Sequence, residues 1–195
     1  MNIIDLLNEN ERKLISIKEI KKGNILFNEN EECLSVGVIL EGVITISSYT
    51  FEGKEIVYNT INSDGVFGNN LIFSDHPYYK GNVIAKTNVK LALINKNNLI
   101  KLLQNNQQFL VKYLEIQSNF SKELNSKIKL LSFNKAEERF LYFLYIHYNK
   151  ISFKNISSLA DDLFLTREAT SRLISKMVKE DIIIRNKNAI IKKEG

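Results

Sequence analysis

The spacing of the hydrophobic residues changes from that of strands to that of helices near Lys96. Upstream, between Gly23 and Ile94, short runs rich in Ile, Val, Phe and Thr alternate with Gly, Asn and Asp. This pattern predicts strands at 24–27, 35–40, 43–49, 55–61, 82–87 and 90–94. Many short strands at close spacing favour an antiparallel barrel or sandwich over a sheet of βαβ units. Before these runs, 2–19 is predicted to form one short helix.

Downstream of Lys96 the spacing is helical and predicts a short helix at 97–104 and a long one at 107–131. A helix of about 25 residues spans about 37 Å, which is longer than a small barrel needs to cover one face. We therefore expect the long helix to pack on a second copy of the chain. The residues of this predicted dimer interface lie three or four positions apart: Phe109, Tyr113, Ile116, Phe120, Leu124, Ile128 and Leu131. The alternative is that the helix covers only its own barrel.

The last third of the chain predicts two short helices in close succession. A helix at 135–148, with Asn134 as its N-cap and Glu137 three residues later, precedes them. The first of the two covers 157–163, and the second begins after the N-cap Thr166 and ends near 179. Two short helices joined by about three residues form a helix-turn-helix, whose second helix enters the DNA major groove.

The second of these helices has side chains suited to DNA. Arginine can bond guanine with two hydrogen bonds, and a carboxylate can accept one from cytosine. We expect Arg167, Glu168 and Arg172 to contact bases, and Ser171 to reach a phosphate or a base. The hairpin at 182–192 would form a wing beside them. The full predicted DNA-contacting set is Thr166, Arg167, Glu168, Ser171, Arg172, Lys176, Arg185 and Lys187. The alternative is a solvated amphipathic helix with no ligand.

Composition excludes several classes of site. The net charge is +5, and 133–195 holds 12 basic and 8 acidic residues, which permits a polyanionic partner. A single cysteine, Cys33, excludes an internal disulfide. With only His76 and His147 beside it, a zinc site or cysteine-ligated cluster within one chain is also excluded. We expect no metal and no cofactor, and Cys33 is most simply a small apolar residue, with a redox-sensing thiol as the alternative.

The same reasoning concerns location. No window reaches the roughly 18 consecutive apolar residues of a membrane span, and the N-terminus carries acidic residues where a signal peptide is basic. We expect a cytoplasmic protein that does not bind membranes.

Six segments resemble motifs of the Crp/Fnr family of bacterial transcription regulators. GNILF at 23–27, ILEGV at 39–43, GKE at 53–55 and DGVFG at 64–68 resemble the sensor domain of that family. LA at 159–160 and TREATSRL at 166–173 resemble its recognition segment. The resemblance implies an α+β chain with an antiparallel, jelly-roll-like β-roll sensor at 1–104, a long dimerisation helix at 105–132 and a winged helix-turn-helix at 133–195.

The resemblance also implies partners and their sites. They are double-stranded DNA with a palindromic operator, a second copy of the chain in a homodimer, RNA polymerase, and a small-molecule effector that the sequence does not identify. Gly68, Asn69 and Asn82 are the expected effector-pocket residues. Family members that bind cyclic nucleotides have Glu after Phe-Gly and a later Arg-Ser pair, where this chain has Asn69 and then Gly81 and Asn82. Without the guanidinium that would meet the phosphate, we expect no binding of cyclic AMP.

Two other functions fit parts of the sequence. A small-barrel, metal-dependent enzyme of the cupin kind would need two or three histidines near one metal, but His76 and His147 are far apart in the chain. We therefore expect no enzymatic activity. A winged helix that binds a protein would lack the steep salt dependence of phosphate binding. The leading prediction is a dimeric DNA-binding regulator.

Overall fold

The computed structural model of the protein describes residues 2–53 and 55–193. Lys54, which belongs to the GKE segment, lies outside the described residues. So do Met1 of the predicted sensor domain and Glu194 and Gly195 of the predicted winged helix-turn-helix domain. The chain forms two compact units, and the boundary between them along the sequence falls between Phe120 and Ser121, within the long helix. The functional division at 104 and 132 stays a prediction.

Two four-stranded antiparallel sheets make up the first unit, with strand orders β1-β8-β3-β6 and β2-β7-β4-β5. Each of the six predicted runs contains a strand. The strands are β1 (Ser16–Ile20), β2 (Ile25–Phe27), β3 (Ser35–Glu41), β4 (Ile44–Tyr49), β5 (Glu55–Ile61), β6 (Val66–Phe67), β7 (Asn82–Ala85) and β8 (Val89–Asn95). Gly37 of β3 lets the short strand β6 approach closely, because a Cβ there would lie 2.1 Å from the ring of Phe67. The predicted α+β class with an antiparallel roll is confirmed.

The prediction of one helix at 2–19 is wrong. The segment forms a 3-10 helix at Ile3–Leu6, the single turn α1 at Glu9–Arg12, and then strand β1. Leu7 has extended backbone, and the Asn8 side chain accepts hydrogen bonds from the backbone amides of Asn10 and Glu11, which starts a new helix there. β1 then pairs with β8, from Ser16 opposite Leu93 to Ile20 opposite Val89.

Two helices follow the roll, α2 (Lys96–Asn105) and α3 (Gln107–Ser132). The structure corrects the predicted dimer interface at its start. Phe109 is 0% exposed and Tyr113 4% exposed, and both belong to the core of the first unit, against which Ile116 also packs. A side chain enclosed by its own core cannot meet a partner helix. The long helix was predicted correctly, but the first turns of α3 face the roll.

The second unit contains α4 (Ala136–Ile146), β9 (Lys150–Ser152), α5 (Ile156–Leu163), α6 (Arg167–Lys179), β10 (Ile183–Asn186) and β11 (Ala189–Lys192). The three strands form an antiparallel sheet in the order β10-β11-β9. The core of the unit includes Phe140, Leu144, Leu163 and Ile174, which are all 0% exposed. The N-cap of α4 is Lys135, without a side-chain capping bond, so the predicted cap at Asn134 is wrong by one residue. Among the described residues, none of the helices combines the length and the apolar composition needed to cross a bilayer.

Candidate DNA-binding interface and sensor site

The turn between α5 and α6 is fixed by local capping at both of its ends. Phe164 ends α5 in the left-handed conformation, with φ of 53°. This is the position where the resembling family usually has glycine. Thr166 then caps α6, because its Oγ1 accepts a hydrogen bond from the Ala169 amide at 3.1 Å. The helix-turn-helix geometry therefore forms with a bulky residue at the glycine position.

Helix α6 is amphipathic as predicted. Thr170, Leu173, Ile174 and Met177 are buried. The predicted base-contacting side chains of Arg167, Glu168 and Arg172 are exposed, as is Ser171. Within the described part of the chain, none of the three charged side chains makes a hydrogen bond or an ion pair. Their bonding groups face solvent in the first turns of α6.

Lys176 differs from the other predicted contacts. Its Nζ is ion-paired with Glu137 of α4 and, at 3.8 Å, with Glu180. The hydrogen bond to Glu137 raises the pKa of the ammonium above its usual value. Lys176 is bonded within its own unit and lies beyond the first two turns of α6, and its role as a DNA contact stays a prediction.

The predicted wing is the β10–β11 hairpin, whose strands pair from Ile183 opposite Lys192 to Asn186 opposite Ala189. Arg185 and Lys187 are both exposed near its tip. Arg185 Nε donates a hydrogen bond to the Lys187 carbonyl at 3.3 Å, and its other guanidinium donors have no partner in the part of the chain that the structure describes. Both wing cations can therefore reach an external phosphate.

Asn69, one of the predicted effector residues of the sensor, is bonded to α3. Asn69 is 3% exposed, and its Nδ2 donates to Gln117 Oε1 at 2.5 Å. In return, Gln117 Nε2 donates to the Asn69 carbonyl at 2.9 Å, and the Tyr113 hydroxyl donates to the same carbonyl at 3.4 Å. Burial raises the pKa of Tyr113 to about 12. Asn69 is thus held by the long helix.

The other two predicted effector residues also have structural roles. Gly68 has φ of +74°, and a Cβ there would lie 2.9 Å from the Ser35 carbonyl and 3.0 Å from Cys33 Sγ. Asn82 Oδ1 accepts a hydrogen bond from the Glu29 amide at 2.9 Å. The structure does not place Asn82 in contact with the Gly68–Asn69 pair.

Cys33 is buried beside Gly68, with its Sγ 3.6 Å from the Gly68 carbonyl. Burial raises the pKa of its thiol, so the reactive thiolate is disfavoured. This favours the interpretation of Cys33 as a small apolar residue. In the described ranges, no cluster of three or more His, Cys, Asp or Glu side chains could hold a metal ion.

Two residues that matter to these sites were not identified from the sequence. Gln117 bonds Asn69 from 48 positions away, and Arg139 of α4 donates to backbone carbonyls in the turn before α6. The sequence carries no distinct signal for the first, because Gln117 lies among other polar residues of the helix, Glu115, Ser118 and Asn119. Hydrogen bonds to backbone carbonyls carry no such signal for the second.

Comparison with known proteins finds a family match and a curated relative. Residues 17–106 match the family described as the cyclic nucleotide-binding domain. The anaerobic regulatory protein of Bacillus subtilis (strain 168) is 24% identical over 112 residues, which are 57% of this chain and 47% of that protein. The chain thus matches about half the length of this curated relative.

Solved structures of regulators share the fold over nearly the whole chain. A mutant of CooA from Carboxydothermus hydrogenoformans is 18% identical, with a TM-score of 0.73, and the match covers 100% of this chain and 92% of that one. The catabolite activator protein of Thermus thermophilus is 16% identical, with a TM-score of 0.56 and coverage of 98% and 93%. A Crp/Fnr-family regulator from Eubacterium rectale is also 16% identical, with a TM-score of 0.56 and coverage of 100% and 94%.

These relatives are regulators and not enzymes, as the sequence predicted for this chain. The family match covers residues 17–106, and the structural matches extend over the long helix and the helix-turn-helix. Residues 17–106 therefore match the cyclic nucleotide-binding domain family, and the chain has the fold of the Crp/Fnr transcriptional regulators, which confirms the resemblance found in its sequence.

Proposed function

We propose that this chain is a cytoplasmic, homodimeric transcriptional regulator that binds a palindromic DNA site, and that its sensor does not bind cyclic AMP. One observation carries the proposal: α6 buries one face and leaves Arg167, Glu168 and Arg172 exposed in its first turns, with no partner among the described residues. These are the side chains that can distinguish base pairs in the major groove. Ser171, the Thr166 hydroxyl and the wing cations Arg185 and Lys187 would contact the backbone or neighbouring bases.

Dimerisation is supported by the second half of α3. Leu124, Ile128 and Leu131 are 47%, 58% and 47% exposed and lie four and three residues apart, the spacing of a coiled-coil interface. Phe120, which is half-buried, continues this set toward the roll. A twofold axis along such an interface presents two copies of α6, so the DNA site should be palindromic.

The absence of cyclic AMP binding is supported by Gly81, at the position where nucleotide-binding relatives have arginine. A Cβ there would lie 2.8 Å from the Ser47 carbonyl and 3.0 Å from the Tyr58 ring. The site therefore lacks the guanidinium and also the space for a longer side chain. We propose that the effector is another small molecule, with RNA polymerase as a further partner.

The first experiment is selection of bound sequences from a random duplex pool at near-physiological salt, with the purified full chain and no effector. We expect enrichment of a twofold symmetric site with half-sites about one helical turn apart. The double variant Arg167→Ala/Arg172→Ala is the control and should enrich nothing. Failure of the parent protein to enrich any sequence would overturn sequence-specific binding by the free protein.

Two further measurements test the finer claims. Sedimentation should show a dimer that Leu124→Asp/Ile128→Asp converts to a monomer, and an unchanged dimer would overturn this interface. Calorimetry with cyclic AMP should show no heat of binding, and micromolar affinity would overturn the assignment of the sensor.

A further inference from the structure

We propose that Arg139 of α4 is a positioning residue for DNA binding. Its hydrogen bonds fix the turn before α6 to the residue that follows α3. This inference rests on the proposed function, because the consequence of correct positioning is contact between α6 and bases. Arg139 itself lies in the second unit, with its guanidinium turned toward the protein backbone. It is not a member of the DNA-contacting set.

The guanidinium makes three hydrogen bonds. Arg139 Nη1 donates to the carbonyls of Leu163 and Phe164, both at 3.3 Å, and Nη2 donates to the carbonyl of Phe133 at 2.9 Å. Leu163 and Phe164 end α5, two residues before the cap of α6, and Phe133 directly follows the last residue of α3. One planar group therefore joins the end of α3 to the start of the recognition helix.

The two carbonyls from α5 are a favourable place for a cation. The last carbonyls of a helix have no partner within it and carry the negative end of the helix dipole. Among the described residues, no carboxylate forms an ion pair with Arg139, so these carbonyls supply its stabilisation. A lysine could not reproduce the arrangement, because only guanidinium presents several donors in one rigid plane.

The turn needs such a contact because of Phe164. A residue with a side chain in the left-handed region costs about 1–2 kcal/mol relative to the usual conformation. The Phe164 side chain is 47% exposed, so its own burial is incomplete. Strained conformations persist when the surrounding contacts determine them, and the bond from Arg139 to the Phe164 carbonyl is one such contact.

A second contact secures the other end of the link. Tyr142 lies three residues after Arg139 on α4, and its ring is 5.2 Å from the ring of Phe133. The ammonium of Lys129, in the last turn of α3, lies 4.9 Å from the centre of the Tyr142 ring. The end of α3 is therefore bound to α4 at two points, and Arg139 continues this connection to the turn.

The test compares Arg139→Met with Lys135→Met, each of which removes one positive charge. Lys135 precedes α4, and its side chain is 77% exposed. Among the described residues its ion-pair partner is Glu138, at 3.5 Å. Affinities are measured for the selected palindrome and for random duplex. We expect Arg139→Met to weaken binding to the palindrome about tenfold more than binding to random duplex. Lys135→Met should weaken both equally and by less than about threefold.

Arg139→Lys should recover only part of the selectivity and carries the comparison if Arg139→Met does not fold. Amide hydrogen exchange in the free protein supplies a readout without DNA. The amides of Phe164 and Leu165 donate to the carbonyls of Asp161 and Ala160. They should exchange faster in the Arg139 variants, and their exchange rates should be unchanged in Lys135→Met.

The outcomes separate the two proposals. Equal weakening on both DNAs, or unchanged exchange at Phe164 and Leu165, would overturn the positioning role. If the parent protein itself shows no preference for any sequence, the proposed function fails, and faster exchange in the Arg139 variants would still establish the link to the turn.

Discussion

The recognition helix and the sensor differ in where their polar side chains find hydrogen bonds. Arg167, Glu168 and Arg172 of α6 have no partner in the described part of the chain, whereas Asn69 in the sensor is bonded to Gln117. The first arrangement leaves bonding capacity for an external partner. The second uses that capacity within the protein, at the position where the resemblance places Glu in family members that bind cyclic nucleotides.

This difference affects what each site can bind. A ligand at α6 replaces water, and charge-assisted bonds to bases or phosphates offset the loss of hydration. A ligand that needs the Asn69 side chain must first break its bond to Gln117, and an unsatisfied buried polar group costs about 1–3 kcal/mol. An effector must therefore replace these bonds or act elsewhere in the roll.

Substitution of Gly68 should have the largest effect. Gly68→Ala adds a Cβ close to the Ser35 carbonyl and to Cys33, in addition to its positive φ. We expect a loss of about 2–4 kcal/mol in the free energy of unfolding, measured by urea denaturation followed by circular dichroism. Gly23→Ala is the matched control, since Gly23 also has positive φ, at +88°, but has no atom within 4 Å of the added Cβ. Equal losses would show that the sensor is less tightly packed than its geometry indicates.

Alkaline pH should destabilise the sensor. Burial raises the pKa of Tyr113 from 10.0 to about 12, so the unfolded chain releases this proton at lower pH than the folded one. Stability from this group is complete below pH 10 and is lost as the pH rises toward 12, by about 2 kcal/mol at pH 12. Unfolding measured between pH 9 and pH 12 should be less steep in its pH dependence for Tyr113→Phe. The same slope in both proteins would contradict the assignment.

Removal of one recognition cation should affect binding and leave folding unchanged. Arg167→Ala should weaken binding to the selected palindrome by about 1–3 kcal/mol and relax the preference at one base position in each half-site. Because Arg167 is exposed and unpaired, the urea midpoint should stay within error of the parent. Uniform weakening on every duplex would identify Arg167 as a phosphate contact.

Removal of Gln117 should have the reverse effect. Gln117→Leu leaves the Asn69 amide without its acceptor and should reduce the free energy of unfolding by about 1–2 kcal/mol. Adding Asn69→Leu should cost less than the sum of the two single changes, which a double-mutant cycle measures. Additive losses would show that the two amides do not depend on each other.

The comparison also explains what the sequence predicts well. The helix-turn-helix and its cap at Thr166 depend on residues a few positions apart, so local pattern is sufficient. The pair of Asn69 and Gln117 spans 48 positions and depends on the packing of α3 against the roll. Likewise β1 was predicted as helix, because its strand partner β8 lies more than 60 residues later and most of its side chains are exposed.

The long helix shows the limit of periodicity. A spacing of three and four residues identifies one apolar side of a helix but does not identify what covers it. In α3 the roll covers Phe109 and Tyr113, while Leu124 and Ile128 stay exposed. Sequence alone placed all four in one dimer interface. Arg139 was missed for a related reason, since its acceptors are backbone carbonyls whose positions only the folded unit determines.

The smallest effect should come from Lys176, a predicted DNA contact that is ion-paired within the protein. Its partners Glu137 and Glu180 are roughly half exposed, and exposed ion pairs contribute about 0–1 kcal/mol. Lys176→Met should therefore shift the urea midpoint only slightly. It should also weaken binding to the palindrome and to random duplex by the same small factor, because the ammonium is already neutralised. A selective loss for the palindrome, as large as that of Arg167→Ala, would mean that Lys176 exchanges Glu137 for DNA, and α6 would then contact DNA along more than its first turns.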